Sequence, residues 1–218
     1  MQKFKIDLFV DILEKNYRDW NAPIVTFIAN RRATPFEVLV STILSLRTKD
    51  KTTSKAAARL FKSARTPLEI FNLDEKKIAG LIYPVGFYRI KAKRLREISR
   101  ILIEKYNMVV PDNIEQLLEL PGVGRKTANL VLIEGYKKDA ICVDVHVHRI
   151  SNRIGYVNTN VPEKTEFALR KKLPQKYWTK YNELLVPFGQ TVCKPVSPLC
   201  SSCPVSHMCP RLGVKKYR

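Results

Sequence analysis

Four of the five cysteines lie within 17 consecutive residues, and this segment restricts the possible folds of the chain more than any other feature. They are Cys193, Cys200, Cys203 and Cys209. Because clustered thiols in a reducing compartment bind metal more often than they form disulfides, the segment is predicted to loop around a metal centre. Thiolates select zinc or iron–sulfur clusters, and only Cys200 and Cys203 form the close pair that structural zinc sites usually contain twice. The spacing favours an iron–sulfur cluster and leaves zinc open.

Hydrophobic periodicity predicts an all-α fold for the rest of the chain. Apolar residues recur at helical spacing from Ile6 to Tyr17, and Thr34-Pro35 is typical of a helix start. The nearly uniform apolar run from Phe36 to Leu44 predicts a buried helix. Only residues 139–145 alternate like a strand, and a single strand has no partner. Further helices are predicted at 52–62, 67–71, 74–82, 90–106, 114–119, 125–136, 145–153, 162–172 and 175–186.

The charge balance points to an anionic partner. The 39 Lys and Arg residues outnumber the 20 Asp and Glu residues and give a net charge of +19, which favours nucleic acid. No stretch approaches the roughly 20 apolar residues of a membrane helix, and residues 1–11 do not resemble a signal peptide. We therefore expect a soluble intracellular protein in the cytoplasm, associated with the nucleoid and with no membrane partner.

A glycine-containing turn between two predicted helices is the strongest functional signal. Gly122 and Gly124 can bring the backbone close to a phosphate, and the first N–H groups of the following helix point outward. Lys126 lies in the first turn of that helix, whose two faces are both apolar further along. This pattern predicts a partly desolvated Lys126 where two lobes meet, with its amine favoured as a nucleophile. A phosphate-binding lysine of ordinary pKa fits these residues equally well.

A lone carboxylate, Asp144, follows among apolar residues. It is suited to cap the helix predicted from residue 145, and capping is compatible with a chemical role because a cap holds the carboxylate rigidly. His146 and His148 have no nearby third ligand, so we assign no zinc to them.

The hairpin at residues 120–128, the segment Val143–His146 and the cysteine spacing together resemble the endonuclease III family of helix-hairpin-helix DNA glycosylase/AP lyases. The resemblance covers nearly the whole chain. It implies two helical lobes with the active-site cleft between them. One is a six-helix barrel domain of residues 23–137 that contains the hairpin. The other is an iron–sulfur domain of residues 1–22 plus 138–218.

The same resemblance implies the chemistry of the site. The four clustered cysteines become the ligands of a [4Fe–4S] cluster, Lys126 matches the nucleophile of the family, and Asp144 matches its catalytic carboxylate. The implied reaction removes damaged, oxidised pyrimidines and then cuts the strand 3′ to the abasic site by β-elimination through a Lys Schiff base. The implied partner is double-stranded DNA with damaged bases or abasic sites, bound by a monomer.

Two loops of the family fill the gap that a flipped nucleotide leaves, and this chain departs from the family pattern in both. Arg47 stands where Gln is common, and Phe87 stands where an aliphatic wedge is usual. Phe87 could instead be a core residue. The basic residues Lys91, Lys93, Arg94, Arg96 and Arg100 fit either a solvated helix face or a phosphate track. The residues expected to contact DNA are Arg47, Phe87, Gly122, Val123, Gly124, Arg125 and His146.

Two rival functions remain at this point. Monofunctional glycosylases of the superfamily lack the hairpin lysine, and the adenine-specific ones carry Glu where this chain has Thr42. A non-catalytic DNA-binding module would use the hairpin for phosphates and the cluster as a scaffold.

Overall fold

The computed structural model describes residues 4–17, 20 and 33–218, and all regular secondary structure in these ranges is helical. This confirms the all-α prediction, and residues 139–145 form no strand. None of the helices in the described ranges has the length and apolar character needed to cross a membrane. The α-helices are α1 (Ile6–Asn16), α2 (Pro35–Ser45), α3 (Asp50–Ser63), α4 (Pro67–Asn72), α5 (Glu75–Ile82), α6 (Tyr88–Tyr106), α7 (Ile114–Glu119), α8 (Arg125–Leu130), α9 (Val145–Arg153), α10 (Pro162–Lys172) and α11 (Trp178–Thr191).

The chain divides into two compact units. One consists of Met1–Pro23 and Asp139–Arg218, and the other of Ile24–Lys138. We call them the cysteine unit and the hairpin unit. The predicted domain boundary between residues 22 and 23 lies outside the described residues. The predicted boundary between residues 137 and 138 lies one residue before the observed division.

Helix α2 forms the centre of the hairpin unit. It begins at Thr34, whose hydroxyl accepts a hydrogen bond from the Glu37 N–H at 3.2 Å, while the Glu37 carboxylate accepts one from the Thr34 N–H at 2.8 Å. This capping box and Pro35 fix the start of the helix. Every residue from Phe36 to Leu44 is buried, as predicted. The buried Glu37 carboxylate is compensated by Arg65, whose Nη2 lies 2.7 Å from it.

The helix predicted at residues 125–136 changes its winding halfway. Helix α8 ends at Leu130, and a π turn continues it over Val131–Gly135. Gly135 lies against the start of α2, since a Cβ on it would be 3.1 Å from the Pro35 Cα. A wide π turn reorients the residues that follow it, and it allows this close backbone contact.

The cysteine unit has its own apolar core. Buried residues of α1 pack there against α9 and α11, with Phe9, Val147 and Tyr181 all nearly inaccessible to solvent. The Tyr181 hydroxyl lies 3.2 Å from the Ser151 hydroxyl, so its polar end has a partner. This core supports the start of α9, where Asp144 lies, and the end of α11, which leads into the cysteine segment.

Candidate functional site

The turn between α7 and α8 has buried apolar side chains on its inner side and exposed glycines on its outer side. Leu120 and Val123 are buried, and the Val123 N–H donates to the Leu120 carbonyl at 3.0 Å. Gly122 has φ +77°, a conformation that favours glycine, and Gly124 is the N-cap of α8 with open space around it. The turn therefore presents two exposed glycines beside the first N–H groups of α8, which the helix itself cannot satisfy. Because the Val123 side chain is buried, only its backbone is available to a ligand.

Arg94 of α6 lies across this turn, which the sequence did not reveal. A methyl group on Gly122 would be 2.9 Å from the Arg94 Cδ and 3.1 Å from its Nε. Arg94 is exposed, and no acidic side chain of the described ranges forms an ion pair with it. Its neighbours in the basic run differ, because Arg96 donates to the Phe71 carbonyl and Arg100 pairs with Glu104. The run is therefore not a single phosphate track.

We expect alanine substitutions at the two glycines of this turn to have different effects on stability and DNA binding. We expect Gly122→Ala to lower the free energy of unfolding by about 1 kcal/mol, because alanine is strained at positive φ. It should also weaken duplex binding, because the new methyl displaces Arg94. Gly124→Ala is the matched control and should change stability by less than about 0.5 kcal/mol. Denaturant unfolding and anisotropy titration with a DNA duplex measure both effects. Equal stability of the two variants would contradict this account of the turn.

Lys126 lies in the first turn of α8, and its side chain is exposed. The prediction that it is partly desolvated is wrong for the free chain. Leu130 and Ile133, further along the same face, are buried, and so is the neighbouring Thr127, but Lys126 itself remains exposed. Lys126 interacts electrostatically with Asp50, the first residue of α3. Burial raises the pKa of the Asp50 carboxyl, and the charge of Lys126 opposes this shift.

Asp144 is the N-cap of α9 and is almost fully buried. Its Oδ1 accepts hydrogen bonds from the N–H groups of His146 at 2.8 Å and Val147 at 2.9 Å. The capping prediction is correct, and the carboxylate is held rigidly at the start of the helix. The His146 Nδ1 packs against Gly189 of α11 and lies 3.1 Å from the Arg149 Nη2.

Two arginines of α9 bind the start of the cysteine segment. Arg149 donates to the carbonyls of Gly189 at 3.0 Å and Cys193 at 2.8 Å. Arg153 donates to the Lys194 carbonyl at 2.7 Å, and its Nη1 lies 3.5 Å from the Cys193 Sγ. The helix that carries Asp144 is thus fixed directly to the segment that carries the thiols.

The four clustered cysteines line one cavity, together with Arg153, Arg211 and apolar side chains. No three His, Cys, Asp or Glu side chains among the described residues are close enough to hold a single metal ion. A cubane cluster binds one thiolate at each of its irons, so its ligands need not converge on one point. Burial raises the pKa of Cys203 to about 11 and also raises the pKa of Cys200 and Cys209. The four thiols around this one cavity match the four ligands that a cubane cluster needs, and bound iron would favour their thiolate forms. Cys142 is buried elsewhere in the core.

The two predicted wedge residues lie side by side in the hairpin unit. Arg47 and Phe87 both have left-handed backbones, with φ +53° and +58°. The Arg47 guanidinium carbon is 5.6 Å from the centre of the Phe87 ring, a cation–π distance. Both side chains are exposed, so Phe87 is not a core residue.

The fold and the cysteine segment agree with two family models. Residues 40–175 match the HhH-GPD superfamily of base excision DNA repair proteins, which defines the class of this chain. Residues 193–209, from the first clustered cysteine to the last, match the iron–sulfur binding domain of endonuclease III. The chain belongs to the endonuclease III family of DNA glycosylases with AP lyase activity, and its cofactor is a [4Fe–4S] cluster rather than zinc.

The chain is also similar to individual proteins of this family. The chain is 53% identical to "Endonuclease III" of Thermotoga maritima over 84% of its own length and 86% of the relative. It is 44% identical to "Endonuclease III homolog 1, chloroplastic" of Arabidopsis thaliana over 80% of this chain, and it spans only 48% of that plant protein. A solved structure of a trapped endonuclease III–DNA covalent intermediate in an estranged-adenine complex matches with TM-score 0.86 and 34% identity over 97% of both chains.

Proposed function

We propose that this enzyme removes oxidised pyrimidines from duplex DNA and cuts the strand 3′ to the resulting abasic site, acting as a monomer. The observation that carries the proposal is an exposed primary amine, Lys126, directly after an exposed glycine turn in a base excision repair fold. A substrate on chromosomal DNA would place the enzyme in the cytoplasm with the nucleoid.

The glycine turn is proposed to hold a DNA phosphate. The N–H groups at the start of α8 and the positive end of its dipole attract an anion, and glycines allow a phosphate to approach the backbone. Arg125 and Arg94 add charge beside the turn. His146 is proposed as a separate DNA contact on α9 of the cysteine unit. The net charge of +19 makes binding to any duplex dependent on salt.

Arg47 and Phe87 are proposed to fill the space left by the extruded nucleotide. Extrusion costs a few kcal/mol of unstacking, and the cost is smaller for a damaged or mispaired base. An aromatic ring can stack between bases, and the guanidinium can donate to the base left unpaired. The arrangement of these two exposed side chains beside each other supports a joint role.

Asp144 is proposed to stabilise the sugar as its bond to the base breaks. Positive charge develops on C1′ and the ring oxygen, and a buried carboxylate in a fixed position interacts strongly with that charge. Its hydrogen bonds to the start of α9 fix its position before the substrate arrives.

Lys126 is proposed to form the covalent intermediate. The neutral amine attacks C1′, the bond between C1′ and the base breaks, and the base leaves with the electron pair and takes up a proton. The C1′–O4′ bond then opens as O4′ accepts a proton, which gives a Schiff base. Loss of a C2′ proton expels the 3′ phosphate by β-elimination, and water then releases the lysine.

The cluster ligands are proposed to be Cys193, Cys200, Cys203 and Cys209. When bound, the [4Fe–4S] cluster supplies a cross-link that fixes the segment between Cys193 and Cys209. Arg149 and Arg153 link this segment to α9, and Arg211 donates its backbone N–H to the Cys209 Sγ at 3.4 Å.

A panel of duplexes with single lesions tests the proposed substrate and reaction. We expect base release and strand cleavage from duplexes with 5-hydroxyuracil or dihydrothymine, at rates about tenfold or more above those for uracil or a G·T mismatch. Preferred release of mismatched thymine would contradict the lesion class. Release with an intact strand would indicate a monofunctional glycosylase, and binding without release a DNA-binding module. An adenine-specific enzyme is not favoured, because Thr42 donates its hydroxyl to the Val38 carbonyl and supplies no carboxylate.

A further inference from the structure

Lys91 of α6 is a buried cation, with 4% of its surface exposed. Its Nζ donates to the Leu44 carbonyl at 2.9 Å and to the Leu46 carbonyl at 2.6 Å, and it lies 3.3 Å from the Thr48 hydroxyl. Burial lowers the pKa of Lys91 to about 8, and the charge of Arg94 adds to this effect. Lysine is rarely buried unless its ammonium group has hydrogen-bond acceptors. Here all three acceptors belong to residues 44–48.

That stretch is the end of α2 and the start of the loop that carries Arg47. The last carbonyls of a helix accept no hydrogen bond from within the helix, and they carry the negative end of its dipole. The Lys91 ammonium satisfies one of these carbonyls, that of Leu44, and also binds the carbonyl of Leu46 just beyond the helix. Arg47, between the bonded residues Leu46 and Thr48, has φ +53°, a conformation that non-glycine residues keep only when their surroundings fix it.

The same contacts extend to the loop that carries Phe87. The Gly86 N–H donates to the Thr48 hydroxyl at 3.1 Å, and a Cβ on Gly86 would lie 2.6 Å from the Arg47 carbonyl oxygen. The two loops therefore meet backbone to backbone, with no room for a side chain at Gly86. Phe87 follows directly with φ +58° and lies under the Arg47 guanidinium.

We propose that Lys91 is a positioning residue for base extrusion, which holds the Arg47 loop and the Phe87 loop as one preformed wedge. This proposal rests on the proposed role of Arg47 and Phe87 in DNA. Lys91 itself is buried and touches neither the base nor the sugar. Its effect is to keep two exposed side chains in place before DNA arrives. The entropy lost on ordering these side chains therefore does not reduce the free energy of DNA binding.

Lys91→Met in the cluster-loaded enzyme tests the proposal. Methionine keeps much of the length and apolar surface of lysine but removes the donors. We expect single-turnover base release from a 5-hydroxyuracil duplex to fall about tenfold to a hundredfold, because a misplaced positioning group costs that much. Duplex affinity should change less than about threefold, because the phosphate contacts remain. Lys62→Met, on the exposed last turn of α3, is the matched control and should match the wild type.

Two further variants separate positioning from stability. In an Arg47→Ala/Phe87→Ala background, Lys91→Met should slow base release by no more than about twofold, because the wedge is already absent. A general loss of stability would reduce the rate as much in that background as in the wild type, and this result would overturn the proposal. If Lys91→Met does not fold, Lys91→Gln replaces it, since the glutamine amide keeps a polar group in the buried position but has only two N–H donors for the three acceptors. It should slow base release in the same background-dependent way.

The double variant shows whether the proposed role of Lys91 is wrong or whether the proposed role of Arg47 and Phe87 is wrong. If Arg47→Ala/Phe87→Ala releases base at the wild-type rate, the proposed role of the two exposed residues is wrong, and the role of Lys91 with it. If that double variant is slow and Lys91→Met is as fast as the wild type, only the role of Lys91 is wrong. Fluorescence of 2-aminopurine next to the lesion reports unstacking directly and should decrease with Lys91→Met.

Discussion

Lys126→Ala should abolish covalent trapping of the enzyme on abasic DNA by borohydride and lower strand cleavage by at least about a thousandfold, as expected when a nucleophile is removed. Reduction traps only a Schiff base, and alanine has no amine to form one. Lys126 is exposed, so its loss should change the free energy of unfolding by less than about 0.5 kcal/mol. Gel analysis of the trapped complex and of the cut strand measures the effect.

The control for this variant is another exposed lysine in the same unit. Lys137 follows the π turn, is exposed and pairs with Glu134, and Lys137→Ala should trap DNA as the wild type does. Affinity of Lys126→Ala for an uncleaved abasic duplex should remain close to that of the wild type, because the glycine turn is intact. An undiminished adduct from Lys126→Ala would show that another amine is the nucleophile.

Asp144→Asn should slow base release about a hundredfold or more, because it removes a preorganised charge from the developing transition state. The substitution is informative because asparagine caps helices as well as aspartate does. The bonds from the His146 and Val147 N–H groups can therefore persist while the charge is lost. Single-turnover base release, with helix content and unfolding measured in parallel, separates the two roles.

Asp74→Asn is the matched control for this effect. Asp74 caps α5 in the same way, accepting a hydrogen bond from the Lys77 N–H at 2.6 Å on an exposed surface. Its substitution should leave base release unchanged. Asp144→Ala should lose the cap as well and reduce stability by about a further 1 kcal/mol. If Asp144→Asn were fully active and only Asp144→Ala were slow, Asp144 would be a helix cap and nothing more.

Local sequence signals were sufficient to locate the helices. Those predicted at residues 114–119, 145–153 and 162–172 have the observed bounds, and the apolar run after Pro35 is buried throughout. These features depend on capping residues and side-chain spacing, which act within a few turns. The π turn at Val131–Gly135 was not predicted, because it accompanies contact with Pro35, almost a hundred residues earlier.

The environment of charged side chains was harder to predict for the same reason. Apolar spacing showed that α8 has two buried faces but not how far along its axis the burial extends, so Lys126 was wrongly expected to be desolvated. Lys91 and Arg94 look alike in the sequence. One is buried against the end of α2 and the other lies exposed over Gly122, because different loops cover them.

Peptide mapping of the borohydride-trapped complex identifies the residue that forms the Schiff base. The cluster-loaded enzyme is reduced on an abasic duplex, digested with protease and nuclease, and the modified residue is identified by mass spectrometry. We expect a sugar remnant on Lys126 and on no other amine. A remnant on a different lysine or on the N-terminal amine, with Lys126 unmodified, would contradict it.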